Sequence, residues 1–260
     1  MDKVLIISGI LGLMVGSFLN VCIYRIPRKL SVNRPRRSFC PQCSKQITWK
    51  DNIPVLSWLV LGGKCRSCKL PISGQYPLVE LLSAAGAIAS YIHFGLTPTS
   101  IAIFLLIEAL IVITFIDLEF KIIPNLISFP GMTIGLLLGI VSQYSRAFSW
   151  PITQSAMDSL LGFLCGAGFF YVVGYLYYAV SKKVGLGGGD VKLLGMTGAI
   201  LGVSSVAPTI FAGSLLGAVV GILVILVRGG GRHTEIPFGP WLSLGALIYI
   251  FADIPFFRLF

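Results

Sequence analysis

Apolar runs long enough to cross the hydrocarbon core of a bilayer as helices, which takes roughly 20 residues, recur along this chain with little sequence between most of them. They fall at about 4–24, 77–94, 100–116, 124–142, 155–180, 191–203, 205–227 and 237–254, which predicts about eight transmembrane helices. Inside lipid, every backbone N–H and C=O must find its partner within the chain, so runs of this kind resolve as helices. The expected fold is an all-α polytopic membrane protein. Composition agrees: only 12% of the 260 residues are charged, about half of the ~25% usual in soluble domains.

The first run is long, begins with only Asp2 and Lys3, and is followed directly by Arg25, Arg28 and Lys29. A retained helix with its N-terminus outside is expected, not a cleaved signal. Threading the runs from there puts residues 25–76 and the loops at 119–123, 181–189 and 228–235 on the cytoplasmic side. These segments hold nearly all the Lys and Arg, with Lys3, Arg146 and Arg258 outside. The net charge of +10 is thereby explained by the positive-inside rule. No basic stretch is interleaved with aromatics as in a nucleic-acid groove, so lipid is expected as a partner and nucleic acid is not. Three regions follow: a first transmembrane helix (1–24), a cytoplasmic loop (25–76) and a seven-helix membrane domain (77–260). Gly213-Ser214 and Gly217 suit close helix–helix contact.

Within the loop, Cys40-Pro41-Gln42-Cys43 is followed after twenty-one residues by Cys65-Arg66-Ser67-Cys68. Each C-x-x-C places two sulfurs on one side of a tight knuckle, and two knuckles close a tetrahedral thiolate site. Lys45, Lys64, Arg66 and Lys69 favour the thiolates. Paired disulfides or a redox C-x-x-C are the alternatives. A cytoplasmic location opposes stable disulfides, and no βαβ pattern surrounds the pairs. Structural Zn2+ on Cys40, Cys43, Cys65 and Cys68 is expected, in a small zinc-ribbon-like insertion. With all four positions filled by cysteine, no coordination position stays open for catalysis. Cys22 and Cys165 lie in apolar runs and read as small buried hydrophobes.

Acidic residues in a bilayer call for a functional explanation. Asp2, Asp51, Asp158, Glu235 and Asp253 sit near loops or span ends, Glu80 begins the second span and Glu108 lies within the third. Asp117 closes the third span, and Asp190 follows the run Gly185-Leu186-Gly187-Gly188-Gly189 just before the sixth. Topology brings both to one membrane boundary on different helices. Two such carboxylates suit aspartyl proteolysis, where one takes a proton from water while the other, protonated, polarises the scissile carbonyl. The glycines are expected to supply unusual backbone angles and room for an extended substrate. Glu108, nine residues before Asp117, faces the opposite side of its helix. The run ends in Asp-Val-Lys, without the Gly-Lys-Ser/Thr of a phosphate loop.

Several of these motifs together resemble the type IV prepilin peptidases. Gly187-Gly188-Gly189-Asp190 matches their G-x-G-D signature, and Asp117 with Ile123-Pro124-Asn125 resembles their first catalytic aspartate region. The stretch 16–21 with Arg25 and Pro27, residues 51–54 and 57–59 between the cysteine pairs, Gly63-Lys64-Cys65-Arg66, and Ile236-Pro237-Phe238-Gly239-Pro240 also match. The sequence departs at Asn125, where an aspartate is common. The resemblance implies a bacterial inner-membrane aspartyl endopeptidase, with Asp117 and Asp190 catalytic. Such enzymes remove the basic leader of prepilins and pseudopilins after a glycine, at the cytoplasmic face. It also implies N-methylation of the new terminus with S-adenosylmethionine, with the N-terminal half as contributor. No glycine-rich nucleotide fingerprint supports that second activity. The leader's positive charge is expected to meet Glu119, Glu80 or Asp51, while Lys and Arg face anionic headgroups. Competing readings are another G-x-G-D intramembrane protease, a secondary transporter, which predicts midplane acids and an internal repeat, and a scaffold, which leaves the aspartates unexplained.

Overall fold

The chain is described from a computed structural model, over residues 3–35, 37–145, 147–182, 187–228 and 237–252. Asp2, Arg146, Gly185, Leu186, Glu235, Ile236, Asp253 and Arg258 lie outside the described residues. The helices are α1 Lys3–Arg25, α2 Leu56–Val60, α3 Gln75–Phe94, α4 Pro98–Phe120, α5 Asn125–Ser145, α6 Ala156–Ser181, α7 Gly188–Leu201, α8 Val206–Arg228 and α9 Gly239–Phe251. Among the described residues no strand forms, only isolated antiparallel bridges at Phe39–Gln46 and Lys64–Pro71.

Every expected span corresponds to a helix, but among the described residues six helices are long and apolar enough to cross a membrane rather than eight. The exceptions are α7, with 14 residues, and α9, with 13. At 1.5 Å per residue they reach only about 20 Å, against a hydrocarbon core of ~30 Å. The cause is local. α7 stops at Gly202, which has a φ of +81°, and the Asp158 carboxylate packs against that glycine. Asp158 also accepts from the Val203 amide (2.9 Å) and the Thr153 hydroxyl (2.8 Å), a structural use that suits a residue near a helix end.

The chain divides into two units, Met1–Leu96 with Ile103–Val112, and Thr97–Ala102 with Ile113–Phe260. In the first, α1 lies along α3. Gly12 and Gly16 form a small-xxx-small step there: a Cβ on either would come within 2.6 Å of an α3 backbone carbon. Buried polar groups lock this contact. Ser83 donates to the Gly12 carbonyl (2.6 Å), and Asn20 Nδ2 donates to the Tyr76 carbonyl (3.0 Å).

In the second unit α7 packs against α5, α6 and α9. Leu193, Leu194, Met196, Ala199 and Leu201 are all buried, as expected of a helix that is apolar all round. Ser159 of α6 donates to the Ala199 carbonyl at 2.7 Å. Gly213 and Gly217 of α8 pack on Trp241 of α9, the close contact expected of those glycines.

Candidate functional site

Asp117 lies three residues before the end of α4, and Asp190 in the first turn of α7. Both are buried, at 5% and 9% exposure. The start of α9 holds the first of them: the Gly239 amide donates to Asp117 Oδ2 at 3.0 Å. That amide is one of the N–H groups a helix start leaves without an internal partner, and a helix N-terminus favours negative charge. Ile123 lies against both neighbouring glycines. A Cβ on Gly189 would meet its Cβ at 3.0 Å, and one on Gly239 its Cδ1 at 3.4 Å. The two carboxylates are close enough to interact electrostatically. The start of α7 is also tied to the start of α5, where Lys192 Nζ donates to Asn125 Oδ1 at 2.8 Å.

Two details differ from the sequence-based expectation. Asp190 is inside the helix rather than before it, and the described glycines of its run do not use left-handed angles. Gly187 has a φ of −70°, and among the described residues the glycines with positive φ are Gly62, Gly63, Gly95 and Gly202. What residues 187–189 contribute is the absence of side chains. A Cβ on Gly187 would lie 3.3 Å from Asp190 Oδ2, while one on Gly188 would meet open space. Gly239 is the residue whose role the sequence did not show. Its signal was the Pro237-Phe238-Gly239-Pro240 string, since Pro at a first helical position marks a helix start.

The cysteines form a second, separate cluster in the first unit. The Sγ atoms of Cys40, Cys43, Cys65 and Cys68 all lie within 4.8 Å of one another. Those of Cys40 and Cys68 are 4.0 Å apart. A disulfide requires about 2.05 Å, whereas sulfurs around a tetrahedral ion with ~2.3 Å bonds stand about 3.8 Å apart. The donor set therefore fits a metal.

Each C-x-x-C builds the same knuckle. The first cysteine's amide donates to the carbonyl five residues on (Lys45, Leu70; both 2.9 Å), and its carbonyl accepts from the amide four residues on (Ser44, 2.8 Å; Lys69, 2.9 Å). Ser44 and Lys69 both take a φ near +60° to close the turn. Backbone amides of Cys68 and Ser67 pull the Cys65 thiol down to about 6. Cys68 moves the other way: the Leu70 amide lowers it, but burial and hydrogen bonds shared with the other thiols outweigh that. Cys165 is exposed and Cys22 half-buried, so neither is the fully buried hydrophobe expected.

Asp51 and Glu80, two of the acids expected to meet a basic leader, have partners within the protein. Asp51 receives Arg66 through both carboxylate oxygens, with contacts of 2.7–3.0 Å. Arg66 holds its carboxyl below the usual range. Glu80 is buried and accepts from the Val55 amide at 2.7 Å. Val55 has a φ of +59°, an unusual conformation for a β-branched residue. Glu119 is exposed, two residues beyond Asp117. Glu108 is buried with no hydrogen-bond partner for either oxygen among the described residues, and nearby Ser83 spends its proton on Gly12.

This is a polytopic helical membrane protein with two buried carboxylates at the ends of its helices and a four-cysteine metal-type cluster in a loop. Comparison with known proteins makes the class specific. The chain matches the Bacterial Peptidase A24 N-terminal domain over residues 10–94 and the Type IV leader peptidase family over residues 104–222. It is 40% identical to the prepilin leader peptidase/N-methyltransferase of Myxococcus xanthus, covering 87% of this chain and 65% of that protein. It is 35% identical to the protein of that name from Pseudomonas aeruginosa, covering 92% and 87% respectively. The Aeromonas hydrophila protein of that name is 36% identical, over 91% and 87%. No solved structure matches. The chain belongs to the type IV leader peptidase family.

Proposed function

We propose that this chain is an aspartyl endopeptidase that removes the basic leader of type IV prepilins or pseudopilins and then N-methylates the exposed terminus. What supports the first activity is that Asp117 and Asp190 are both buried, near helix ends and close enough to interact electrostatically. One carboxylate takes a proton from the attacking water. The other donates a hydrogen bond to the scissile carbonyl and passes its proton to the leaving amine. Gly188, whose Cα faces open space, leaves room for an extended substrate beside Asp190.

By the distribution of Lys and Arg, the N-terminus lies outside and the site opens to the cytoplasm; family membership implies the bacterial inner membrane. The cysteines hold Zn2+, which ties the two knuckles and leaves no coordination position open.

For methylation, S-adenosylmethionine supplies an electrophilic methyl group when bound. Among the described residues of the first unit, no glycine-rich turn opens onto a helix N-terminus, so this activity rests on family membership.

The test is co-expression with a prepilin, comparing the unaltered protein with Asp117→Asn and Asp190→Asn. Each change is expected to abolish leader removal while leaving insertion intact. Normal processing by both variants would refute the assignment. A transporter is disfavoured because both carboxylates lie near helix ends rather than mid-span.

A further inference from the structure

The loop between α1 and α3 carries an apolar face that the peptidase reading does not use. Its short helix α2 turns two side chains inward. Ser57 Oγ accepts from the Ile53 amide (2.9 Å) and donates to the Lys50 carbonyl (3.0 Å), while Trp58 Nε1 donates to the Ile72 carbonyl (3.1 Å). The others point out. Leu56, Leu59 and Val60, spaced i, i+3, i+4, are 60%, 59% and 80% exposed, and Ile53 and Trp49 beside them are exposed too. In water this patch would be a liability.

Its depth follows from one hydrogen bond. The Val55 amide, adjacent to Leu56, donates to Glu80 at 2.7 Å. Glu80 is five residues into α3, a helix of 20 residues. A helix of that length spans about 30 Å, so α3 needs nearly all of it to cross the hydrocarbon, and Glu80 lies about 8 Å in from its start. The exposed Leu78, Leu81 and Leu82 of α3 flank that same level. Residues 53–60 are therefore pinned to the depth where α3 already meets lipid, and their apolar face continues that surface. Charge favours the same occupant. Residues 25–76 carry eleven Lys and Arg against the single Asp51, which Arg66 already pairs. Lys45, Lys50, Lys64 and Lys69 are exposed.

We propose that the face formed by Trp49, Ile53, Leu56, Leu59 and Val60 is embedded in the membrane interface, with the surrounding lysines on anionic phospholipid headgroups. The loop is thus a monotopic element lying in the bilayer surface rather than a knob standing off it.

Photo-crosslinking of the full chain in vesicles of phosphatidylethanolamine and phosphatidylglycerol tests this. p-Benzoylphenylalanine is placed at Val60, at Leu59 as a second site, at Leu81 as the lipid-facing reference and at exposed Gln42 on the first knuckle. Positions 60 and 59 are expected to give phospholipid adducts in yields comparable with Leu81 and several-fold above Gln42. Replacing phosphatidylglycerol by phosphatidylcholine is expected to lower the yield at 60 but not at 81. Yields at 60 and 59 no higher than at Gln42 would overturn the proposal. So would adducts at 60 to a second copy of the chain, or to added prepilin, in place of lipid.

Discussion

Replacing Gly239 by alanine tests the proposed peptidase site without altering a titratable group. The new Cβ would stand 2.7 Å from Asp117 Oδ2 and 3.2 Å from its Cγ. Ordinary contact needs about 3.4 Å, so the carboxylate must retreat by about 0.7 Å because the α9 backbone cannot. Retreat stretches the 3.0 Å bond from the Gly239 amide. A hydrogen bond to a charged group is worth ~1.5–3 kcal/mol. A displacement approaching 1 Å at a reacting group costs on the order of 100-fold, about 2.7 kcal/mol of barrier. The two routes agree. Leader removal by the reconstituted variant is expected to fall about 100-fold in kcat, with KM within about twofold. Gly168→Ala, on α6 where a Cβ meets nothing within 4 Å, is the matched control and keeps the unaltered rate. The reasoning fails if Gly239→Ala cleaves at the control's rate, or if the loss appears entirely in KM.

Gly188→Ala adds a side chain only to open space, so it is expected to raise KM for prepilin with little change in the variant's melting temperature. Replacing all four cysteines by serine should remove bound zinc, measured by elemental analysis; retained zinc would refute the ligand set. Glu80→Ala leaves the Val55 amide without its acceptor and is expected to destabilise the first unit by about 1–3 kcal/mol. Glu80→Gln keeps an acceptor oxygen and should recover most of that in a thermal melt. Arg66 lowers the Asp51 carboxyl, so the pair's small contribution is present above Asp51's unfolded value of about 3.9 and is lost as pH falls below it. Hydrogen exchange of residues 48–66 should accelerate on acidification in the unaltered chain, and much less so in Arg66→Gln.

The helices were legible because a lipid-exposed segment must be apolar along its whole length, and α8, largely exposed apart from its contacts with α9, shows that rule plainly. The lengths of α7 and α9 were not, since a helix enclosed by neighbours is as apolar as one facing lipid. The cysteine cluster was legible because metal-ligand spacing is a local property of the chain. The link from Asp117 to Gly239 was not, because it joins a side chain to a backbone amide 122 residues away, and an amide carries no sequence signature. For the same reason the sequence leaves Glu80 as a possible contact for the leader. Its burial and its hold on Val55 appear only once the loop is folded against α3.

The position of Asp117 near the end of its helix has a consequence for how the reaction obtains its second substrate. Three residues amount to about 5 Å, less than one turn. Hydrolysis consumes a water molecule for every bond cut, and a carboxylate pair at the bilayer midplane would need a conduit to supply it. On the proposed assignment, the nucleophile has only about two molecular diameters to cover between the end of α4 and Asp117. What that assignment then asks of the substrate is an extended backbone beside Asp190, where Gly188 offers no side chain.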